Sequence, residues 1–211
     1  MNRLSKRLEV LASFIDKNDS LVDVGCDHGY LSIYLKEHNL CKNVICSDVN
    51  INALNNAKNN IIKSNLEIDS YLSDGIKDVP LDNINTIVIS GMGSSTIIKI
   101  LSDKKKLINI NKIVLQSNND FGMLREYMNS IGYYMDKENI VFDKDKWYII
   151  MNFIKNNKKN TDYEIEYGLL NNKDYVLYLI NNYERILEKI PKNREEYNIY
   201  KNKIKYLKTI K

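Results

Sequence analysis

The chain has 211 residues, 44% hydrophobic and 27% charged, which is enough for one α/β core and a small appendage. No uninterrupted apolar run approaches the ~20 residues that cross a bilayer, and Met1-Asn2-Arg3-Leu4-Ser5-Lys6-Arg7 leads into charge rather than an apolar signal core, so a cytoplasmic protein without a membrane partner is expected. The net charge of +4 is uneven, −1 over residues 1–154 and +5 over residues 155–211, while three cysteines without C-x-x-C spacing imply neither a disulfide framework nor a metal site.

In chain order, Leu4, Leu8, Leu11, Ala12 and Ile15 form a helical stripe, with Arg3, Lys6 and Arg7 spaced along its other side. A short buried strand, Leu21-Val22-Asp23-Val24, then ends in the turn Gly25-Cys26-Asp27-His28-Gly29 and a helix carrying Tyr30, Leu31, Ile33, Tyr34 and Leu35. The second strand is Asn43 to Asp48, and its helix runs from near Asn50 to about Ile62. A third strand, Ile68 to Leu72, ends at Ser73-Asp74-Gly75. The fourth, Thr86 to Ser90, is a continuous apolar run of the kind buried on both faces, and Gly91-Met92-Gly93 follows it before a helix through Ile97, Ile98 and Leu101. The fifth, Lys112 to Gln116, ends in Ser117-Asn118-Asn119 and a helix containing Leu124 and Met128. Tyr133 to Val141 and Trp147 to Phe153 read as paired strands around Asp143-Lys144-Asp145. Five β–α units closed by a hairpin predict a doubly wound, seven-stranded, mostly parallel sheet.

Residues 155–160 have no apolar content and read as a linker. Beyond them, the stripes Tyr175 to Ile190 and Ile199 to Ile210, separated by Pro191, predict a C-terminal α-helical hairpin. Two domains are therefore expected, a ligand-binding domain over 1–154 and a basic hairpin over 155–211. The basic tail suits a polyanion, but Lys outnumbers Arg 26 to 5, as in a lysine-rich composition, and a merely solvated hairpin reads equally well.

In such sheets ligands sit at the carboxyl ends of the strands. A dinucleotide fingerprint requires Gly-x-Gly-x-x-Gly, and here Asp27 occupies the place of the second glycine, where it would repel a pyrophosphate. A cationic or zwitterionic ligand fits better, and S-adenosylmethionine is the obvious candidate. Asp23 and Gly25 would scaffold it, with Asp27, Gly75 and Gly91 also at the cofactor, Asp48, 25 residues after Asp23, would accept ribose hydroxyls, and Asp74 would suit the adenine exocyclic amine or its surroundings. Cys26 reads as a small residue packed beside a helix start.

The segments Leu4-Ser5-Lys6-Arg7-Leu8, Asp23-Val24-Gly25-Cys26-Asp27-His28-Gly29-Tyr30-Leu31, Asp74-Gly75, Ile89-Ser90-Gly91-Met92-Gly93-Ser94, Leu115-Gln116-Ser117-Asn118 and Gly132-Tyr133 together resemble the bacterial tRNA adenine-22 N1-methyltransferases (TrmK), a class I S-adenosylmethionine-dependent group. The resemblance covers essentially the whole chain and implies a Rossmann-like methyltransferase domain, a tRNA partner and N1 of adenosine 22 as the target. Ser94 stands where that family usually has a third glycine, Ser117 where it has proline, and Asp48 where it has glutamate.

The residues themselves agree with this chemistry. With only Pro80 and Pro191, the chain cannot carry the Asn/Asp-Pro-Pro-aromatic turn of many exocyclic-amine methylases. Gly91-Met92-Gly93 offers backbone amides and close approach without a side-chain acid or base, which suits a nucleophile with a free in-plane lone pair. Asp27 would stabilise the cationic product base; His28 would orient Asp27 or touch the base, or else be a satisfied core histidine. Substrate contacts are expected from Arg3, Lys6, Arg7, Tyr30, Gln116 and Asn118, with the protein a monomer. A small-molecule methyltransferase and an RNA-binding relative without catalysis are the alternatives.

Overall fold

In the computed structural model, which describes residues 4–210, the strands are β1 (Ser20–Val24), β2 (Asn43–Asp48), β3 (Ser70–Leu72), β4 (Thr86–Met92), β5 (Lys112–Ser117), β6 (Tyr133–Asp143) and β7 (Lys146–Lys155). They form one sheet in the order β3-β2-β1-β4-β5-β7-β6. β1 to β5 are parallel, and β7 inserts antiparallel between β5 and β6, which gives the expected doubly wound, seven-stranded architecture. Every residue of β1 and β5 is buried, as are the first four of β4, which accounts for the continuous apolar run of β4 and leaves Asp23 of β1 and Gln116 of β5 as buried polar side chains.

The helices are α1 (Lys6–Ala12), α2 (Tyr30–Glu37), α3 (Ile51–Lys63), α4 (Ser94–Ile100), α5 (Phe121–Ser130), α6 (Asp162–Tyr167), α7 (Lys173–Leu187) and α8 (Glu195–Ile210). Leu11, Ala12 and Ile15 at and beyond the end of α1 pack with Leu31 and Leu35 of α2 onto Leu21, Val44, Val88 and Val114 of the sheet. Burying each of those leucines contributes on the order of 1.5–3 kcal/mol before chain entropy is counted. α3 uses Leu54, Ala57 and Ile61 to cover Cys26, Ile33 and Cys46. Its start is fixed by Asn50, whose Oδ1 accepts the N–H groups of Asn52 and Ala53.

Three local features differ from the sequence reading. β4 continues through Gly91 to Met92, with a register shift against β5 between Ser90 and Met92, so the glycine turn is part of the strand's end rather than a loop after it. A 3-10 turn over Lys104–Leu107 and the short helix α6 appear where no helical periodicity was legible. The stretch 155–160, expected as a linker, is stitched to the sheet: Asn160 Oδ1 accepts the Met135 N–H at 2.8 Å, and its Nδ2 donates to the Met135 carbonyl at 3.1 Å. α6 is held by a Thr161/Glu164 capping box, a device worth about 1 kcal/mol. Arg125 of α5 donates from Nη1 to the Ile165 carbonyl of α6 at 3.2 Å, and from Nη2 to Glu138 Oε1 of β6 at 2.7 Å, in a buried ion pair.

The chain divides into two compact units after Gly168, so α6 belongs with the sheet and the expected boundary at 154/155 falls at the end of β7. The second unit, from Leu169, is the α7–α8 hairpin, in which Tyr183 and Tyr200 meet edge to face at 5.5 Å and Lys208 pairs with Glu184 at 2.8 Å. Residues 169–211 carry 10 basic and 5 acidic side chains, so the +5 charge stays with the hairpin under the revised boundary. Among the described residues, no helix is long and apolar enough to cross a membrane.

Candidate active site

β1 and β4 are neighbours in the sheet, and the chain leaves them toward opposite edges, so a crevice opens beyond their carboxyl ends. A cleft of about 450 Å³ lies there. Of the residues singled out in the sequence, Arg7, Asp23, Gly25, Asp27, His28, Tyr30, Asp48, Gly91 and Met92 line it.

The turn after β1 owes its shape to three left-handed residues, Gly25 (φ 71°), Asp27 (φ 50°) and Gly29 (φ 69°). Glycine adopts this conformation freely, whereas at Asp27 it costs on the order of 1 kcal/mol. The turn is tied to β2: the Gly25 N–H donates to the Ser47 carbonyl at 2.8 Å, and the Asp27 N–H donates to Asp48 Oδ2 at 3.0 Å. Asp48 Oδ1 accepts the Asn50 N–H at 2.9 Å, so this carboxylate links the turn to the start of α3 while each oxygen keeps a lone pair for a ligand hydroxyl. A Cβ on Gly25 would run into Met92 Cε, so the β1 and β4 turns approach closely where Gly25 has no side chain.

Asp23 is only 4% exposed, and Ser32 of α2 donates to its Oδ2 at 2.8 Å. Burial raises its pKa from 3.8 to about 6, with the Asp48 charge adding to the rise and Ser32 and Arg7 opposing it. A buried carboxyl raised in this way gains from a cation beside it, as a sulfonium and ammonium ligand provides. Ser32 was not anticipated; its signal is a hydroxyl on the buried face of an otherwise apolar helix stripe. The Cys26 thiol is pushed far up, first by its hydrogen bond with Cys46 and then by burial, so it is inert packing at the turn.

Asp27 and His28 stand at the cleft mouth, with side chains 71% and 42% exposed, so His28 is not a core histidine. His28 Nε2 lies 3.7 Å from Asp27 Oδ1, and its ring stacks on Tyr30 at 5.3 Å between centroids. Asn60 of α3 donates to the His28 carbonyl at 3.0 Å and fixes the backbone beneath it.

The opposite wall is braced from β5. Buried Gln116 accepts at Oε1 both from Arg7 Nη1 at 2.7 Å and from the Gly91 N–H at 3.1 Å. Asn118 Nδ2 donates to the Gly91 carbonyl at 2.7 Å. Gln116 and Asn118 therefore clamp the glycine turn rather than line the cleft. Arg7 is directed inward onto that clamp, within 5.6 Å of the Tyr148 ring centroid, instead of outward to a phosphate. Ser94 and Ser117 are joined at 2.8 Å between hydroxyls, and Ser94 also donates to the Asn119 carbonyl at 2.6 Å.

The remaining sequence-predicted residues sit elsewhere. Gly93 is the residue before α4, and Lys6 is exposed on α1. Asp74 lines a separate depression with Lys77 and Lys99, while Gly75 packs on Ile100 and accepts from Ser47 Oγ at 3.2 Å. Arg3 lies outside the described residues. Among the described residues, no cluster of metal-ligating side chains occurs.

Residues 4–151 match the family model of a methyltransferase domain. The tRNA (adenine(22)-N(1))-methyltransferase of Bacillus subtilis is 29% identical over 154 residues, which cover 71% of this chain and 64% of that protein. The structure of TrmK from M. capricolum in complex with S-adenosyl-homocysteine superposes with a TM-score of 0.84 at 32% identity, over 98% of this chain and 97% of that one. A protein of the NADB-Rossmann superfamily from Streptococcus agalactiae gives a TM-score of 0.87 at 31% identity, over 99% and 97%. With its sheet order, its glycine-hinged acid turn and these similarities, the chain belongs to the class I S-adenosylmethionine-dependent methyltransferases, in the family that includes TrmK.

Proposed function

We propose that this protein methylates N1 of adenosine 22 in tRNA. The observation that carries the reading is the composition of the cleft mouth: an exposed Asp27–His28 pair at the end of the β1 turn, with a β4 turn, Gly91-Met92, that brings no acid or base of its own. S-adenosylmethionine, when bound, supplies an electrophilic methyl group on a sulfonium.

The chain's own residues do the rest. Asp23, Asp27 and Asp48 give the cleft three carboxylates against the guanidinium of Arg7, a balance suited to a ligand with two cationic groups and one carboxylate. Asp48 presents its spare lone pairs to a ribose. Gly91, pinned at its N–H by Gln116 and at its carbonyl by Asn118, fixes the wall against which a flat base would lie. An adenine N1 lone pair needs no proton removed, so positioning in line with the methyl group is the main requirement. Charge arrives on the base as the methyl is transferred, and the Asp27 carboxylate is placed to stabilise it, with His28 holding Asp27. The target must leave its stack to reach this cleft. The hairpin from Leu169, with its +5 charge, would supply phosphate contacts that weaken with salt.

The test is incubation with methyl-labelled S-adenosylmethionine and unmodified tRNA transcripts, followed by nucleoside mapping. Label as N1-methyladenosine at position 22 is expected. Label on an exocyclic amine, or none on RNA, would overturn the assignment and favour a different substrate or a non-catalytic relative.

A further inference from the structure

A second groove, of about 530 Å³, adjoins the cleft and shares Tyr30 with it. It runs between α1, α2 and α3, and its floor is aromatic. Tyr30, Tyr34 and His38 recur every four residues and so share one face of α2. Each end of this row is a ring pair: His28 on Tyr30 at 5.3 Å and 18°, and Tyr34 with His38 at 4.1 Å and 30°. From Tyr30 to His38 the helix rises about 12 Å, the length of roughly three stacked bases.

The charge in the groove is mixed. Glu9 and Glu37 line it together with Lys63 and His38, so the surface has no cationic excess with which to follow a phosphate backbone. It offers ring faces for stacking and, at Glu37, a carboxylate that can accept from a base amino group. Unpaired RNA is read in this way, by aromatic stacking and hydrogen bonds to base edges. The row begins at the mouth where the target base would enter, so a nucleotide next to that base reaches it without leaving the surface.

We propose that this groove is a nucleobase-stacking subsite, which holds an unpaired nucleotide adjacent to the methylated adenosine. The inference rests on RNA being the substrate, as argued above. It assigns Tyr34 and His38 a role in substrate recognition while leaving the methyl-transfer step to the neighbouring cleft.

The test uses the full-length protein and tRNA transcripts carrying 2-aminopurine immediately 5′ or immediately 3′ of the methylated position. One of the two probes should change emission on binding. Tyr34→Phe, which keeps the ring, should retain that change; Tyr34→Leu should lose it and raise KM for tRNA roughly tenfold, with kcat and S-adenosylmethionine affinity within about twofold of wild type. Because Tyr34 is half-buried, exposed His38→Ala serves as the second variant, with the same direction expected and little risk to folding. Wild-type emission unchanged at both positions, or a wild-type KM in both Tyr34→Leu and His38→Ala, would overturn the subsite while methylation by the wild type leaves the substrate reading standing. If the wild type transfers no methyl to RNA, the substrate reading falls and the subsite with it.

Discussion

Asp23→Asn separates folding from ligand binding at the centre of the cleft. In the folded chain burial raises the Asp23 pKa from 3.8 to about 6. The native state therefore holds an extra proton between those values, and the stability of the ligand-free protein falls as pH rises through that window. The shift corresponds to about 3 kcal/mol, fully expressed above pH ~6. Asparagine keeps an oxygen for the Ser32 hydroxyl and carries no charge to bury. Ligand-free Asp23→Asn should thus match the wild type near pH 4 and exceed its Tm above pH 6. The gap is at most roughly 6–12 °C, taking 2–4 °C per kcal/mol for a chain of this size. S-adenosylmethionine binding should behave oppositely: wild-type affinity, by calorimetry, should strengthen as pH rises through 6, and the variant should bind tenfold or more weakly with no such dependence. A Tm difference that is flat from pH 4 to 7.5, or a variant that keeps wild-type affinity, would refute the idea that Asp23 is a buried charge waiting for a cation.

Gly25→Ala places a Cβ against Met92 Cε on a backbone at φ 71°, so S-adenosylmethionine binding should fall at least tenfold in titration calorimetry. Asp27→Asn, chosen because asparagine tolerates the left-handed backbone, should lower single-turnover methylation roughly ten- to a hundredfold and change cofactor affinity by less than about twofold; equal losses in both would make Asp27 a cofactor ligand only. Reversing Lys192, Arg194, Lys201 and Lys205 to Glu should weaken tRNA binding and flatten its salt dependence by about 0.7–0.9 in log-log slope for each phosphate no longer neutralised, whereas unchanged filter binding at 50 and 200 mM salt would remove the hairpin from the interface. Ser94→Ala and Ser117→Ala should each destabilise by about 1 kcal/mol in urea, with a double variant about 1 kcal/mol less unstable than the sum.

The sheet and the position of its cleft were legible because β4 is a continuous apolar run, Leu21-Val22 and Ile113-Val114-Leu115 make the centres of β1 and β5 apolar, and each strand ends in or is followed by a glycine or polar residue that marks the carboxyl edge. Asp23, Gly25, Asp27 and Asp48, which the fold brings to one cleft, are marked by that position alone. The functions of Gln116, Asn118 and Arg7 are not, because they depend on residues 25 to 109 positions apart meeting at Gly91. Such pairings follow from strand order, which periodicity does not encode. Asp74 does not line the cleft: β3 is a three-residue edge strand, and in the loop after it Gly75 packs on α4 while Asp74 lines a depression with Lys77 and Lys99. The six residues of α6 are too few for a helical stripe, and its one sequence signal is the Thr161-x-x-Glu164 capping box.

The two departures from the family pattern beside the β4 turn are physically one. A glycine at 94 and a proline at 117 would shape the turns after β4 and β5 through backbone preference, one by permissiveness and the other by a fixed φ. This chain places serines at both positions, and their hydroxyls meet at 2.8 Å, with Ser94 bonded onward to the Asn119 carbonyl and Ser117 to the Met92 carbonyl at 3.3 Å. The bonded pair links the ends of β4 and β5, the same two turns that Gln116 and Asn118 clamp from the other side. Loss of the proline's rigidity is thus offset by a buried hydrogen-bond network, and a lone reversion, Ser117→Pro with Ser94 kept, would leave the Ser94 hydroxyl with only its Asn119 partner. Changing Ser117 alone therefore breaks half of the pair, at the ends of the same two strands whose Gln116 and Asn118 hold Gly91.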